Sequence, residues 1–396
     1  MKQPTTSVHQ PTFIAGSDLP IPTLKILDSE GKLYPGAKAP DLDQALALKI
    51  YRAMLFTRIL DERMVSAQRQ GRLSFYLTCA GEEAAVVGTA AAFNNSDMIM
   101  GQYREQASLR FRGFTARQFM SQLLSNEKDL GKGRQMPVHY GSNELNFMTI
   151  SSPLATQIPQ AAGYAYGQKL EAQRQGRDLD CCTLCYYGEG AASEGDFHAG
   201  MNMAAVLKCP VVFVCRNNGY AISTPTAEQF AGDGIASRGV GYGIKTIRVD
   251  GNDLLAVYTA AAEARKIALQ DCAPVLIEAM SYRLGAHSTS DDPSGYRSRE
   301  EEDKWRELDP IERAKRWLLD QGWWSEKEEK AAQEEYRSEV LRELKAEEKL
   351  PPPALEELIT DVYDKPPTHL QTQFDELVAH LNRYPEQYPT HRGGQH

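Results

Sequence analysis

Residues 181–190 read CCTLCYYGEG, an apolar run that glycine ends, and residues 210–220 read PVVFVCRNNGY, a second apolar run that ends in polar residues. Runs of this kind are typical of strands buried in a parallel sheet. The intervening residues 191–207 are rich in alanine and methionine, and Ser193 and Asp196 suit the first turn of a helix. These segments therefore predict a strand-helix-strand unit of an α/β fold.

Polar side chains follow both strands at the point where each strand ends. Neighbouring parallel strands bring their carboxyl ends together, so we expect the Glu189 carboxylate and the Asn218 amide oxygen to converge. Two such oxygens, with a backbone carbonyl near Tyr220, suit Mg²⁺, which takes its other ligands from water and a diphosphate. Gly188 and Gly190 allow the chain to approach that diphosphate closely. GEG alone favours an ordinary turn over a metal site, and the NNGY sequence after the second strand reverses this preference.

The alternation of strands and helices continues on both sides of this unit. A helix is predicted to begin near Asp43, and residues 244–249 and 274–281 are predicted strands on either side of a helix over 253–269. These patterns predict a mostly parallel sheet flanked by helices, with ligands at its carboxyl edge. We expect three regions, namely an extended N-terminal arm over 1–42, an α/β domain over 43–300 and a C-terminal helical region over 301–396.

The tryptophans of the C-terminal region allow two interpretations. From residue 300 onward the sequence turns to Glu, Lys, Arg and Trp at helical spacing. The region is either a solvated helical appendage or a surface through which Trp317, Trp323 and Trp324 meet a partner, because aromatic residues are enriched where subunits meet.

Composition and cysteine usage exclude several classes of protein. The net charge of −9 argues against a nucleic-acid-binding surface, and no apolar run reaches the length of a membrane span. The seven cysteines fit a reducing compartment. Cys182 and Cys185 have C-x-x-C spacing, but positions i and i+3 of a strand point to opposite faces, so we expect ordinary core packing. The GVGYG sequence at 239–243 precedes a strand and is expected to be a flexible turn.

Several longer strings carry a family resemblance that runs from about Tyr51 to the C-terminal region. They are QYRE at 102–105, GKGRQMPVHY at 131–140, ISSPLATQ at 150–157, the segment 216–226 and HSTSDD at 287–292. Together with GEG and NNGY, they resemble the α subunits of branched-chain 2-oxo acid dehydrogenases, which use thiamine diphosphate. The wider thiamine family more often has aspartate at the position of Glu189, and glutamate fits this branch.

The resemblance implies roles for individual residues. It implies a cofactor site of Tyr103, Arg104, Ser152, Leu154, Gly188, Gly190, Ala191, Arg216 and His287, with the two arginines and Tyr103 at the diphosphate. It implies Mg²⁺ on Glu189, Asn218 and Tyr220, and K⁺ on Ser151, Pro153, Thr156 and Gln157. A lone histidine is more often structural, but His287 follows the last predicted strand at the same sheet edge, which favours an active-site role.

Two further assignments remain open beside ordinary structural roles. Phe75 and Tyr76 resemble part of the acyl pocket, and they are equally compatible with core aromatics. Ser288 and Ser298 correspond to positions that are phosphorylated in regulated members of the family. For Ser288, hydrogen bonding within its loop is the alternative.

The resemblance also implies an activity and its partners. It implies oxidative decarboxylation of branched-chain 2-oxo acids such as 3-methyl-2-oxobutanoate, followed by acyl transfer to the lipoyl group of a transacylase. No segment resembles the half of the site that activates the aminopyrimidine, so a β subunit is expected, in a tetramer of two α and two β chains. A pyruvate or acetoin dehydrogenase α subunit and a non-catalytic scaffold subunit are the alternatives.

The expected location depends on the source of the chain. Residues 1–6 read MKQPTT and lack both a secretory core and an arginine-rich transit pattern. If Met1 is the natural start, we expect the cytoplasm of a bacterium. If the chain is eukaryotic, we expect the mitochondrial matrix.

Overall fold

The computed structural model describes residues 7–16 and 20–388, so the sequence MKQPTT used above for the location lies outside the described residues. Its strands are β1 (Thr23–Leu24), β2 (Met98–Met100), β3 (Phe147–Met148), β4 (Thr183–Gly188), β5 (Val211–Asn217), β6 (Tyr220–Ala221), β7 (Thr224–Pro225), β8 (Lys245–Asp250) and β9 (Val275–Met280). Seven of them form one sheet in the order β1-β8-β9-β5-β4-β2-β3, and every pair in it is parallel. The predicted parallel α/β fold is confirmed.

Helices cover both faces of this sheet. They are α1 (Gln44–Arg69), α2 (Glu83–Ala91), α3 (Gln106–Arg112), α4 (Ala116–Leu124), α5 (Gln157–Gln175), α6 (Gly195–Leu207), α7 (Thr226–Gln229), α8 (Ala236–Gly241), α9 (Leu254–Gln270), α10 (Arg299–Arg306), α11 (Pro310–Asp320), α12 (Glu326–Glu347), α13 (Glu357–Thr360) and α14 (Thr368–Arg383). No helix within 7–16 and 20–388 combines the length and apolar character that a membrane span requires.

The central strands explain the apolar runs of the sequence. In β4 and β5 the register pairs Thr183 with Val211 and Gly188 with Arg216, so both strands end together at one edge of the sheet. Cys182 packs in the core on one side of the sheet and Cys185 in the core on the other. The expectation that C-x-x-C is core packing is therefore confirmed.

A short part of the N-terminal arm joins this sheet, whereas the described residues 7–16 are exposed. β1 pairs in parallel with β8 at the sheet's edge. The carboxylate of Asp253 accepts the backbone N–H groups of Ile26 at 2.6 Å and Leu27 at 2.7 Å, and its other oxygen caps α9. Residues 23–27 of the arm therefore pack against the chain's own fold. The division at residues 42 and 300 stays a prediction.

The C-terminal tryptophans pack inside the chain. Trp317 and Trp324 are 5% and 4% exposed and belong to the main core. The indole N–H of Trp324 and the hydroxyl of Tyr51 on α1 both donate to Glu329, at 2.9 and 2.8 Å. For Trp317 and Trp324, both interpretations, a solvated appendage and a partner-facing surface, are wrong, because these side chains are buried in the main core.

The GVGYG segment is also not a simple turn. Its first three residues form the end of α8, and only the residues that follow turn into β8. Gly239 lies so close to the sheet that an added Cβ would meet the Thr246 hydroxyl oxygen at 2.4 Å. The glycine therefore serves close helix packing, which the sequence interpretation as a flexible turn missed.

Candidate active site

A cavity of about 520 Å³ lies at the carboxyl edge of β4 and β5. This volume is within the range of pockets for small organic ligands. The loops after β2, β4, β5 and β9 contribute most of its wall. The predicted residues that line it are Tyr103, Arg104, Leu154, Gly188, Glu189, Gly190, Ala191, Arg216, Asn218, Tyr220 and His287.

Glu189 and Asn218 meet in this cavity as the strand arrangement predicted. The backbone N–H of Asn218 donates to Glu189 Oε2 at 3.3 Å. Glu189 is 1% exposed, and its Oε1 has no hydrogen-bond partner in the described parts of the chain. Burial raises the pKa of this carboxyl to about 7. A buried carboxylate oxygen without a partner fits a cation, which would restore the ionised form.

The donor set fits a magnesium ion that shares its ligands with a phosphate compound. Among the described residues, no group of three or more His, Cys, Asp or Glu is arranged to hold a metal by itself. One carboxylate, one amide oxygen and a backbone carbonyl leave coordination positions open, and Mg²⁺ commonly fills them with phosphate oxygens and water.

Two buried arginines supply positive charge for such an anion. Arg104 is 2% and Arg283 1% exposed. Arg104 donates to the backbone oxygens of Thr78 and His287, each at 2.6 Å, and Arg283 donates to the Ile222 carbonyl at 2.8 Å. Within the described residues neither guanidinium forms an ion pair with a carboxylate. Both line the cavity, so their charges are available to a diphosphate.

Arg283 was missed by the sequence interpretation. It follows β9 by three residues, in the same loop as His287, and that position at the sheet edge was the available signal. Gly190 contributes in another way. A Cβ at this position would meet the Ala221 Cβ at 2.7 Å, so only glycine fits in this wall of the cavity.

Arg216 has a different environment from the one expected. Its guanidinium lies between two buried carboxylates, with Nη1 on Glu82 Oε2 and Nη2 2.7 Å from Glu105 Oε1. Burial opposes ionisation of Glu82, but Arg216 and Arg104 together with the Asn218 amide lower the pKa of this carboxyl below its usual value. Arg216 lines the cavity, although two carboxylates already compensate its charge.

His287 is held neutral beside the arginines. Burial, with the charges of Arg104 and Arg283, lowers the pKa of His287 to about 4. Arg104 Nη2 lies 3.3 Å from Nδ1 of the ring. Because a guanidinium can only donate, Nδ1 is the accepting nitrogen and the proton of the neutral ring is on Nε2. The Tyr103 ring meets the imidazole edge to face, with the ring centroids 6.1 Å apart.

The loop before α5 holds the residues expected at K⁺ and at the aminopyrimidine. Thr156 Oγ1 lies 3.2 Å from the Pro153 carbonyl oxygen, whereas the Gln157 side chain donates to the Tyr186 carbonyl at 3.0 Å. The Ser152 hydroxyl faces His139 Nε2 at 3.0 Å. Ser151 is half-buried, and of this loop only Leu154 lines the cavity.

Phe75 and Tyr76 lie outside the wall of the cavity. The Tyr76 hydroxyl donates to the buried Asp61 at 2.8 Å, and Phe75 packs against the main core. Ser288 Oγ accepts the backbone N–H of Ser290 at 3.2 Å.

Ser298 and Tyr220 both contact the start of α10. Ser298 is exposed and caps α10 by accepting the backbone N–H of Glu301 at 3.1 Å. The Tyr220 hydroxyl donates to both oxygens of Glu301 at 3.0 Å, which leaves its backbone carbonyl as the candidate cation ligand.

Comparison with known proteins agrees with this site. The profile of the dehydrogenase E1 component family matches residues 51–356. The chain belongs to this family. Enzymes of the dehydrogenase E1 component family depend on thiamine diphosphate, and the cavity of this chain contains the unpartnered oxygen of Glu189 together with Arg104 and Arg283.

Individual relatives are similar over nearly all of this E1 chain. The proteins named 2-oxoisovalerate dehydrogenase subunit alpha, mitochondrial, are 50% identical over 381 residues in Homo sapiens and 51% identical over 379 residues in Caenorhabditis elegans. These alignments cover 96% and 95% of this chain, and 83% and 86% of the relatives. The Dictyostelium discoideum protein of the same name is 51% identical over 371 residues, with coverages of 93% and 83%. The predicted resemblance to branched-chain 2-oxo acid dehydrogenase α subunits is confirmed.

Proposed function

We propose that this E1 chain is the α subunit of an oxidoreductase that oxidatively decarboxylates branched-chain 2-oxo acids and transfers the acyl group to a lipoyl group. The observation that supports this conclusion is the similarity over nearly all of the chain to 2-oxoisovalerate dehydrogenase α subunits. The cavity agrees with it, because it contains the unpartnered oxygen of Glu189 and two arginines without carboxylate partners among the described residues. 2-Oxoisovalerate is 3-methyl-2-oxobutanoate, a branched-chain 2-oxo acid. The relatives do not favour a pyruvate or acetoin dehydrogenase.

The residues of the cavity divide the binding of thiamine diphosphate between them. Arg104 and Arg283 would bind the diphosphate. Glu189, Asn218 and the Tyr220 carbonyl would hold Mg²⁺. When bound, thiamine diphosphate supplies the carbon nucleophile and the electron sink for decarboxylation. Buried arginines and carboxylates at this cation site argue against a non-catalytic scaffold.

His287 offers a hydrogen-bond donor at a defined atom. Its neutral ring carries the proton on Nε2, because Nδ1 faces Arg104. A neutral N–H donor can stabilise, by a hydrogen bond, an oxygen that becomes negative at the reacting centre. Burial and the charge of Arg104 keep the ring neutral. Thr156 and Pro153, with Ser151 and Gln157, form the proposed K⁺ site that fixes the loop before α5.

The family implies a β subunit and a transacylase as partners, and we propose a tetramer of two α and two β chains. By resemblance to the family, we propose that the carboxylate that activates the aminopyrimidine comes from the β subunit. The named relatives are mitochondrial proteins, so for a eukaryotic source we propose the matrix, and for a bacterial source the cytoplasm.

The test is to co-express this chain with its β subunit and to measure decarboxylation that depends on thiamine diphosphate. Turnover of 3-methyl-2-oxobutanoate should exceed turnover of pyruvate. Glu189→Ala should abolish activity while the tetramer still assembles, whereas Glu263→Ala, an exposed change on α9, should leave activity unchanged. A preference for pyruvate, or full activity of Glu189→Ala, would contradict the proposal.

A further inference from the structure

Glu82 is a buried carboxylate beside the cation site, and the chemistry described so far does not use it. It precedes α2, is 0% exposed and makes two contacts that cross the fold. Its Oε2 accepts from Arg216, and its Oε1 accepts the side-chain N–H of Asn218 at 2.8 Å. Arg216 is also paired with Glu105 at 2.7 Å. Both oxygens of Glu82 therefore face donors.

The partners of Asn218 fix which end of its amide is available to a cation. The amide nitrogen donates to the Glu82 carboxylate, which can only accept. The amide oxygen accepts the backbone N–H of Tyr220 at 3.2 Å, and this group can only donate. If the amide were turned over, its oxygen would face the Glu82 carboxylate and its NH₂ would face the backbone N–H of Tyr220. Two acceptors would then meet on one side and two donors on the other. Buried groups paired in this way are strongly disfavoured.

We propose that Glu82 is a positioning residue that holds the Asn218 amide in the orientation in which its oxygen binds Mg²⁺. This inference rests on the proposed function, because it takes the Glu189 and Asn218 pair as the cation site. In the proposed arrangement, Glu82 does not touch the cation. It acts by occupying the amide nitrogen, so that the amide oxygen is the atom left for the ion.

A second triad of the same residue types provides a matched control within the chain. Asn217 donates its side-chain N–H to Glu278 at 2.8 Å, and Glu278 is paired with Arg248 at 3.0 Å. The Asn217 amide oxygen accepts the backbone N–H of Gly219 at 3.2 Å. Glu278 is 0% exposed, as Glu82 is. Asn217 does not line the cofactor cavity, so the second triad has no cation to orient.

The substitution Glu82→Gln tests the orientation directly. One end of glutamine is a donor, and the charged guanidinium of Arg216 should take the carbonyl oxygen, because hydrogen bonds to charged groups are the stronger ones. The NH₂ of the new side chain then faces the NH₂ of Asn218 and turns that amide over. The cation would meet a donor in place of an oxygen. Loss of such an orienting partner typically costs about 10- to 100-fold in metal affinity.

The measured quantity is the affinity of the αβ complex for Mn²⁺, which replaces Mg²⁺. The complex is prepared without bound cofactor, and thiamine diphosphate is then added. Free Mn²⁺ is followed by electron paramagnetic resonance. We expect Glu82→Gln to weaken Mn²⁺ binding about 10- to 100-fold and Glu278→Gln to leave it unchanged. Equal affinity of Glu82→Gln and the unchanged protein, or equal weakening by Glu278→Gln, overturns the proposal.

A double substitution separates orientation from general damage. In Glu82→Gln/Asn218→Asp, the glutamine NH₂ can donate to one carboxylate oxygen while the other oxygen binds the ion. Asn218→Asp should therefore improve Mn²⁺ affinity about tenfold more in the Glu82→Gln background than in the unchanged background, a coupling of about 1.4 kcal/mol. An equal gain in both backgrounds would overturn the proposal.

Two outcomes keep this inference distinct from the proposed function. If the unchanged complex binds no Mn²⁺ with thiamine diphosphate, the cation site itself is wrong. If it binds Mn²⁺ and Glu189→Ala abolishes binding, the site stands and the comparison of the Glu82 variants decides. Should Glu82→Gln fail to assemble, the double variant decides alone. The double variant must assemble, and its Mn²⁺ affinity must lie within about tenfold of that of the unchanged complex. Tenfold is the smaller limit of the loss of metal affinity expected when an orienting contact is removed. If the double variant fails either requirement, the proposal is overturned.

Discussion

Replacing Arg104 by methionine should raise the pKa of His287, because the guanidinium and the ring are in contact. Arg104 Nη2 lies 3.3 Å from His287 Nδ1 and also donates to the His287 carbonyl at 2.6 Å. Burial and the charge of Arg104 are the two largest causes of the low pKa. The methionine side chain keeps much of the volume and removes the charge, so the part of the shift that comes from burial remains.

The magnitude follows from the pKa of about 4 in the unchanged protein. At pH 7 about one ring in a thousand is then protonated, compared with about one in four for an unperturbed histidine. The catalytic consequence is that almost every enzyme molecule carries a neutral Nε2–H donor. In Arg104→Met the protonated fraction should rise at every pH, and activity should fall as the diphosphate loses one of its two arginines.

The pKa can be read from the rate at which diethyl pyrocarbonate modifies His287, followed by peptide mass spectrometry. The reagent attacks neutral imidazole. N-acetylhistidine is treated in parallel, and its rate, divided by its neutral fraction at each pH, gives the pH dependence of the reagent itself. From pH 8 down to pH 5.5 the rate should stay constant in the unchanged protein and should fall in Arg104→Met. Arg104→Lys keeps the charge and should stay nearly flat. A profile of Arg104→Met as flat as that of the unchanged protein would refute the role given to Arg104.

Three further predictions concern stability and cofactor binding. Burial raises the pKa of Asp61 to about 7, so the folded protein keeps a proton that the unfolded chain releases above pH 4, and stability should fall as pH rises from 4 to 7. Thermal melting of Asp61→Asn should lack this contribution, which is on the order of 4 kcal/mol. Trp324→Ala should lower stability by about 3–5 kcal/mol in denaturant titrations, and an effect below 1 kcal/mol would contradict the buried position. Gly190→Ala should weaken calorimetric binding of thiamine diphosphate and lower the melting temperature, because its Cβ would meet that of Ala221 at 2.7 Å and displace this wall of the cavity.

The convergence of Glu189 and Asn218 could be predicted because it follows from local sequence and strand order. Each of β4 and β5 is a short apolar run with one polar residue directly after its end, and parallel pairing places the two ends together. The convergence of Glu189 and Asn218 needs no other part of the chain. The helix after Asp43 was equally local, since this residue caps α1 by accepting the Leu46 N–H at 2.7 Å.

The environment of Arg216 could not be predicted in the same way. Its two carboxylate partners lie 134 and 111 residues earlier in the chain, and nothing in the strings around Glu82 or Glu105 indicates that they reach β5. The C-terminal tryptophans were misjudged for the same reason. The contact of Trp324 with Tyr51 joins the first helix to the last third of the chain, and aromatic composition alone does not distinguish a covered face from an exposed one.

The two adjacent asparagines at the end of β5 show what decides between structure and function here. Asn217 and Asn218 have the same side chain, the same bond to the backbone two residues ahead and the same kind of Glu and Arg partners. Strand alternation sends them to opposite sides of the sheet. Only Asn218 lies in the cavity with the unpartnered oxygen of Glu189. Two neighbouring positions in the chain therefore differ in role. The amide of Asn217 ties β5 to β9, whereas the amide of Asn218 lies where the proposed cation would bind.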